Sequence, residues 1–247
     1  MRAVILAGGL GTRLRPYTTI LPKPLVPVGD RPILEHILRQ LAASGVDRVD
    51  LCVSHLGELI QVYFSQSKTL PEGLELAWHW EDEPLGTAGA LRVVPDLEGT
   101  FIAMNGDVLT TLDYRALVDH HRTTGAALTI AAHAKRVDID LGVIDSHDGF
   151  VTDYREKPSL AYDVSMGIYV YEASALDHLP PEGPCTFPEL VLRLLEAGEQ
   201  VAVYQSHADW YDIGTLTEYE RAVQDVQDRP DAFGLGQPVS AGERAAP

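Results

Sequence analysis

Residues 3–7, Ala-Val-Ile-Leu-Ala, form an unbroken apolar run that ends at Gly8-Gly9. An apolar run without alternation is buried on both faces, as in a strand inside a parallel sheet, and the glycines behind it let the backbone leave in a tight loop. Parallel neighbours need crossover connections, so such a strand commits the chain to helices packed on both sides of a sheet.

The later periodicities agree. Ile33, Ile37, Leu38 and Leu41 recur at helical spacing, with Asp30 as the expected N-cap, Pro32 in the first turn and Gly45 past the end. Val49–Ser54 reads as a second buried strand, Leu56–Phe64 as a short helix, and Leu74, Leu76, Trp78 and Trp80 alternate as a half-exposed strand. Phe101–Asn105 is a further apolar strand that feeds Gly106-Asp107, followed by a helix that Asp113 caps. From Leu128 the pattern changes to closely spaced strands, at Leu128–Ala134, Gly142–Asp145, Val151–Glu156 and Val164–Tyr171. A helix around Phe187–Leu195, a strand at Val201–Ser206 and a helix at Thr217–Asp228 close the series. This predicts an α/β domain over residues 1–228 with a mainly parallel sheet. Residues 229–247 are rich in Pro, Gly and Ala without apolar periodicity and are expected to form a flexible tail. In open α/β sheets ligands bind outside the carboxyl ends of the strands, which directs attention to the loops Gly8–Pro16 and Asn105–Asp107.

Charge narrows the partner classes. The 247 residues hold 19 Lys and Arg against 36 Asp and Glu, a formal net charge of −17 that repels a phosphodiester backbone, so no nucleic-acid partner is expected. No stretch approaches the ~18 unbroken apolar residues of a membrane span. The start has no cleavage-site pattern, which predicts a cytoplasmic protein without a secretory signal. Cys52 and Cys185 offer no disulfide framework and read as small buried hydrophobes. Against this acidic background, Arg2, Arg13, Arg15, Lys23 and Arg31 face a single acid, Asp30, within the first 31 residues. That local reversal of sign marks an anion site.

The loop Gly8-Gly-Leu-Gly-Thr-Arg-Leu-Arg-Pro16 can form a nest of backbone N–H groups for phosphate oxygens. It is not a dinucleotide fingerprint, since Leu14 stands where the third glycine is needed, nor a P-loop, since Arg13-Leu14 stand where Gly-Lys is needed. Leu6-Ala-Gly-Gly-Leu-Gly-Thr-Arg-Leu-Arg-Pro-Tyr-Thr18 with Pro22-Lys-Pro-Leu-Val-Pro27 instead resembles the signature of the sugar-1-phosphate nucleotidylyltransferases, in phrasing closest to the mannose-1-phosphate guanylyltransferase-like branch. Further matches follow in the family's order at Pro84–Gly89, Asn105-Gly-Asp107, Glu156-Lys-Pro158, Ser165-Met-Gly167 and Trp210–Gly214, so the resemblance spans residues 1–225.

The resemblance implies a Rossmann-like three-layer α/β/α nucleotidyltransferase fold with a nucleotide-binding part over 1–112 and a small β-rich, sugar-phosphate-binding part over 113–228. It implies transfer of a nucleotidyl group from a nucleoside triphosphate to a sugar 1-phosphate, with release of pyrophosphate. Leu6, Ala7, Gly8, Gly9, Gly11 and Thr12 would cradle the nucleotide, Arg13 would hold the triphosphate, and Lys23 would offset charge at the α-phosphate. Asp107 and Asp212 match the family's Mg²⁺ carboxylates. On the sugar side stand Asn105, Gly142, Glu156, Lys157 and Gly167, with Lys157 on the phosphate, Glu156 on a hydroxyl, and the two glycines contributing backbone. Many members carry Tyr before the pocket glycine, where this chain has Leu141.

Glu81, Gly86 and Thr87 occupy the place where the family reads the base. A carboxylate accepts the N1–H and N2–H₂ donors of guanine, which favours GTP with a mannose- or heptose-like 1-phosphate. Uridylyl, thymidylyl or cytidylyl transfer to a glucose-like or cyclitol 1-phosphate is the alternative, and Pro-Lys-Pro-Leu in place of Lys-Gln-Leu argues against dTTP. A non-catalytic nucleotide-sugar sensor would lack site charges that this chain retains. Members are often oligomeric, which leaves a homo-oligomer open. Many also carry a left-handed β-helix, which is not expected after the last predicted helix here. His120-His121 on one helix is poor geometry for a shared metal, and Trp78 and Trp80 are expected to pack rather than stack a base.

Overall fold

A computed structural model describes residues 1–9, 11–67 and 69–234. The chain opens with β1 (Arg2–Leu6), the two-residue ribbon β2 (Pro27–Val28) and β3 (Arg31–Pro32), and α1 (Ile33–Ala43). Then come β4 (Arg48–Val53), α2 (Gly57–Gln66), β5 (Glu75–Trp80), the short α3 (Gly86–Gly89), β6 (Thr100–Asn105) and β7 (Val108–Thr110). After α4 (Tyr114–Thr124) lie β8 (Leu128–Asp138), β9 (Val143–His147), β10 (Phe150–Arg155) and β11 (Ser159–Glu172). The series ends with α5 (Phe187–Glu196), β12 (Val201–Ser206), β13 (Trp210–Asp212) and α6 (Leu216–Asp228).

Seven strands form one sheet in the order β12-β8-β11-β6-β1-β4-β5, in which β11 alone runs against the rest. The side chains of β1 divide between two faces because a strand alternates. Ala3 and Ile5 join Leu34, Ile37 and Leu41 of α1, Leu117 of α4 and Val226 of α6 on one face, while Val4 joins Leu91 and the α5 residues Leu190 and Leu194 on the other. This is the expected α/β/α layering. The sheet runs through both halves of the chain.

Two local expectations change. Asp30 does not cap α1; it sits in the turn between β2 and β3, and Pro32 holds the cap position without a side-chain bond. The tail expected from Arg229 begins folded: Arg229 pairs with Asp209 at 2.8 Å, and Phe233 is buried against Tyr211 in the core on the α1 face of the sheet. An isolated aromatic carries no periodicity, so composition alone hid this anchor. The remainder of the expected tail, 235–247, lies outside the described residues.

The strand order positions the site. From β1 the chain moves outward to β4 and β5, then returns to set β6 on the other side of β1. Loops leaving the carboxyl ends of β1 and β6 therefore diverge and open a crevice between them. Beyond that end, β11 pairs last with β6 at Ile168–Met104 yet continues along β8 as far as Ser159–Asp138. The two strands form an arm past the carboxyl end of β6, and the β9–β10 hairpin is inserted between them. Among the described residues no helix is long and apolar enough to cross a membrane.

Candidate active site

The glycine loop after β1 lies low over the sheet. A Cβ at Gly8 would sit 3.1 Å from Glu81 Oε1 and 3.2 Å from Ser54 Cβ, so the absent side chain is what lets the loop meet the ends of β4 and β5. Thr18 Oγ1 donates to the Gly11 carbonyl at 2.7 Å, and Gly11, at φ +59°, packs on Thr18 and Lys23. Lys23 thereby packs directly against the loop.

A cavity of about 450 Å³ opens at these strand ends, lined by Leu6, Ala7, Gly8, Gly9, Lys23, Ser54, Glu81, Gly86, Thr87, Asn105, Gly106 and Asp107 among others. A second hollow of about 300 Å³ adjoins it, lined by Gly9, Gly11, Thr12, Arg13, Lys23, Asp107 and Gly214. Gly9, Lys23 and Asp107 line both and mark the boundary between them. There the buried Lys23 Nζ donates to Asp107 Oδ2, while Asp107 Oδ1 is buried with no hydrogen-bond partner among the described residues.

Asp212 arrives by a route the sequence does not reveal. The three-residue strands β7 and β13 pair antiparallel, with Asp212 opposite Val108, and the Ile213 amide donates to the Asp107 carbonyl at 3.2 Å. Strands this short show no periodicity, yet they bring two aspartates from distant parts of the chain to one place. Burial and then the Asp107 charge push the Asp212 carboxyl above its usual range, against the smaller opposing influences of Lys23 and Arg13. The Arg13 guanidinium lies over Gly214, where a Cβ would stand 3.3 Å from its nearest nitrogen.

On the far wall, burial pushes the Glu81 carboxyl up, partly offset by the Leu85 amide that donates to Oε2 at 3.1 Å. Gly86 has φ +77°, and a Cβ there would lie 2.6 Å from the Cys185 carbonyl oxygen, so two conditions require glycine. Thr87 lines the cavity, but its hydroxyl accepts the Phe187 amide at 2.8 Å and thus fastens the start of α5.

A half-buried carboxylate pair, a buried ammonium and an arginine around glycine-built backbone form a site for polyanions. The family described as nucleotidyl transferase matches residues 2–229 of this sequence. The chain belongs to the nucleotidyl transferase family. Among curated members, a UTP--glucose-1-phosphate uridylyltransferase of Synechocystis is 32% identical over 93% of this chain and 64% of its own length. A mannose-1-phosphate guanyltransferase of Candida albicans is 33% identical over 89% of this chain and 62% of its own. This nucleotidyl transferase chain thus spans somewhat less than two thirds of these relatives. Among solved structures, HddC from Yersinia pseudotuberculosis superposes with a TM-score of 0.72 at 28% identity, over 91% of this chain and 98% of that one. The same protein has been solved complexed with GMP-PN.

Within this nucleotidyl transferase domain the expected nucleotide-side residues converge, and of the expected sugar-side residues Asn105 joins them in the cavity. Gly167, at φ +72°, stands beside it, since a Cβ there would lie 2.7 Å from Asn105 Nδ2. Gly142, Glu156 and Lys157 do not line either hollow; they belong to the hairpin arm. Ser54, Gly106 and Gly214 line the hollows without having been singled out, although Ser54 ends a predicted strand beside β1 and the strand-end rule points to it. His121 is a core histidine, bonded to Thr129 Oγ1 at 2.8 Å, and Trp80 packs on Gly57.

Proposed function

We propose that this chain transfers a nucleotidyl group from a nucleoside triphosphate to a sugar 1-phosphate. An oxygen of the sugar phosphate attacks the α-phosphorus in line, the bond to the β-phosphate bridging oxygen breaks, and pyrophosphate leaves. The observation that carries the reading is the Lys23–Asp107 pair at the boundary of the two hollows, with Arg13 in the smaller one. A nucleoside fits the larger cavity and its phosphates the smaller. Arg13, with a planar fork suited to spread phosphate charge, holds the departing pyrophosphate, and Lys23 offsets charge that grows at the α-phosphate. Backbone amides of the glycine loop fix the geometry, and orientation alone contributes roughly 7–11 kcal/mol in such reactions.

Asp107 and Asp212 suit Mg²⁺, which takes one or two carboxylates plus phosphate oxygens. Asp107 Oδ1 supplies a buried oxygen unpartnered among the described residues, and Asp212 is a desolvated acid beside a like charge. Bound there, Mg²⁺ would supply charge neutralisation between the two phosphates. Among the described residues no cluster of three or more metal-ligating side chains exists, so phosphate oxygens would complete the shell.

GTP with a mannose- or heptose-like 1-phosphate is the favoured pair. Glu81 carries that preference, as a half-buried carboxylate on the cavity wall that accepts the N1–H and N2–H₂ of guanine. Its relatives include a guanyltransferase, and HddC was solved with GMP-PN. UTP with a glucose-like 1-phosphate is the second reading, favoured by the Synechocystis relative. Pyrophosphate release, measured across five nucleoside triphosphates crossed with a panel of sugar 1-phosphates, with and without EDTA, decides both. Metal-dependent release confined to GTP supports the first pair, and release confined to UTP the second. No release from a folded sample, with nucleotide binding retained, replaces catalysis with a sensor role.

A further inference from the structure

Gly142 and Glu156 stand fourteen positions apart, and the structure joins them through a residue the sequence did not mark. Tyr154 lies in β10 opposite Ile144 of β9, which puts its side chain on the hairpin face that carries Gly142 two residues before. The phenol lies across Gly142: a Cβ there would come 2.5 Å from Tyr154 Cζ and nearer still to its hydroxyl, so only glycine leaves the ring room. From that seat Tyr154 Oη donates to Glu156 Oε2 at 2.9 Å.

The chain beyond Glu156 is fixed too. Lys157 takes φ +43°, a left-handed turn that a non-glycine residue adopts only when its surroundings impose it, and the Ile139 amide donates to the Pro158 carbonyl at 3.1 Å. Glu156 is therefore held by its hydroxyl partner on one side and by the turn on the other. The bond uses one carboxylate oxygen and leaves the second for a ligand. The arm that carries this group extends from the same end of the sheet as the cavity.

We infer that Tyr154 is a positioning residue for the sugar half of the reaction: it orients Glu156 toward a sugar hydroxyl, and Gly142 is glycine in order to seat it. This rests on the proposed transfer reaction and on Glu156 as its sugar contact. A tyrosine is suited to the task because its rigid ring carries the donor to a fixed point with only two torsions to order. Without the hydroxyl, the exposed Glu156 side chain returns to many rotamers, and that entropy must be lost again at each binding event.

The test compares Y154F, E156Q, the double variant and G142A on the nucleotide and sugar pair that the wild-type enzyme turns over best. Y154F should raise KM for the sugar 1-phosphate about threefold to tenfold, as expected for loss of one solvent-exposed hydrogen bond, with KM for the nucleotide and Tm unchanged. G142A, which displaces the ring, should reproduce that change. The double variant should match E156Q alone, because Tyr154 acts only through that carboxylate. If E156Q raises the sugar-phosphate KM and Y154F does not, or if the two effects add, the positioning role falls while the transfer reading stands. If E156Q changes nothing, Glu156 is no sugar contact and Tyr154 has nothing to position. Absence of turnover on every substrate pair overturns the parent reading and this one together.

Discussion

The Lys23 ammonium is bound to one oxygen of the Asp107 carboxylate, and the other oxygen is buried without a partner among the described residues. Each charge makes the burial of the other tolerable, because an isolated buried ion is costly while a bonded pair roughly compensates its desolvation. The same pair stands where both proposed substrates would bring phosphate. In the proposed reaction the same contact would keep either charge from being stranded before binding and would meet the phosphates after it.

Asp107→Asn keeps the shape and removes the charge, which leaves Lys23 buried beside a weaker acceptor. Pyrophosphate release should fall by more than about a hundredfold, and stability should drop by about 1–3 kcal/mol in urea melts. In the Lys23→Met, Asp107→Asn double variant the stability losses should not add, since neither partner then strands the other. Additive losses would mean that the pair is not coupled. Retained activity in Asp107→Asn would remove this carboxylate from the mechanism.

Glu81 gives a pH signature. Burial raises its carboxyl pKa, so the folded protein holds that proton more tightly than the unfolded chain does. The stabilisation this provides is complete below the ordinary carboxylate range and is lost as pH rises through the raised value. Glu81→Gln should therefore have a higher Tm than the wild type at pH 7, and the difference should shrink as pH falls toward that range. Binding moves the other way: protonation turns one of the two acceptor oxygens facing guanine into a donor, so KM for GTP should rise as pH falls toward the raised value, and more steeply in the wild type than in Glu81→Gln. A KM for GTP with the same pH profile in both proteins would relieve Glu81 of base reading.

Phe233 is a stability test outside the site. Its ring is buried against Tyr211, and its carbonyl accepts from Gln40 Nε2 at 3.4 Å. Tyr211 lies in β13, one residue from Asp212, so the anchor supports the ribbon that carries a proposed metal ligand. Phe233→Ala should cost about 3–5 kcal/mol, as for other fully buried aromatics. A loss within about 0.5 kcal/mol, the range of exposed positions, would show that the segment is not part of the core.

These cases mark what was legible in the chain itself. Ala3–Ala7 and Phe101–Asn105 announced themselves because buried strands are apolar on both faces, and their glycine-bearing carboxyl ends located the crevice. Asp113 was readable as a cap because its side chain accepts the amides of Arg115 and Ala116. Three-residue strands such as β7 and β13 have no period to read, so only the family motif paired Asp107 with Asp212. The motif places Thr87 at the cavity, which it lines, but does not tell that its hydroxyl also accepts the Phe187 amide, a contact 100 residues away in sequence. Local pattern encodes elements, while the partners of individual side chains depend on chain segments that pattern does not relate.

Two glycines of the same cavity separate folding from binding. Gly86 has a positive φ, and its missing Cβ leaves room for the Cys185 carbonyl, whose oxygen accepts from Ala88 and Gly89. Gly86→Ala puts a methyl group into backbone that cannot swing aside, and should cost more than about 2 kcal/mol with a clear loss of Tm. Gly9 lines both hollows, yet a Cβ there meets nothing within 4 Å among the described residues and its φ is not in the left-handed region. Gly9→Ala should leave stability within about 0.5 kcal/mol of the wild type. Its methyl group instead projects from the loop whose amides must come close to phosphate, so KM for the nucleotide should rise about tenfold or more while the melt is unchanged, as expected where close backbone approach sets affinity. If Gly9→Ala binds nucleotide as the wild type does, the phosphates do not lie on the backbone at Gly9, and their site must be sought on the Arg13 side of the smaller hollow alone.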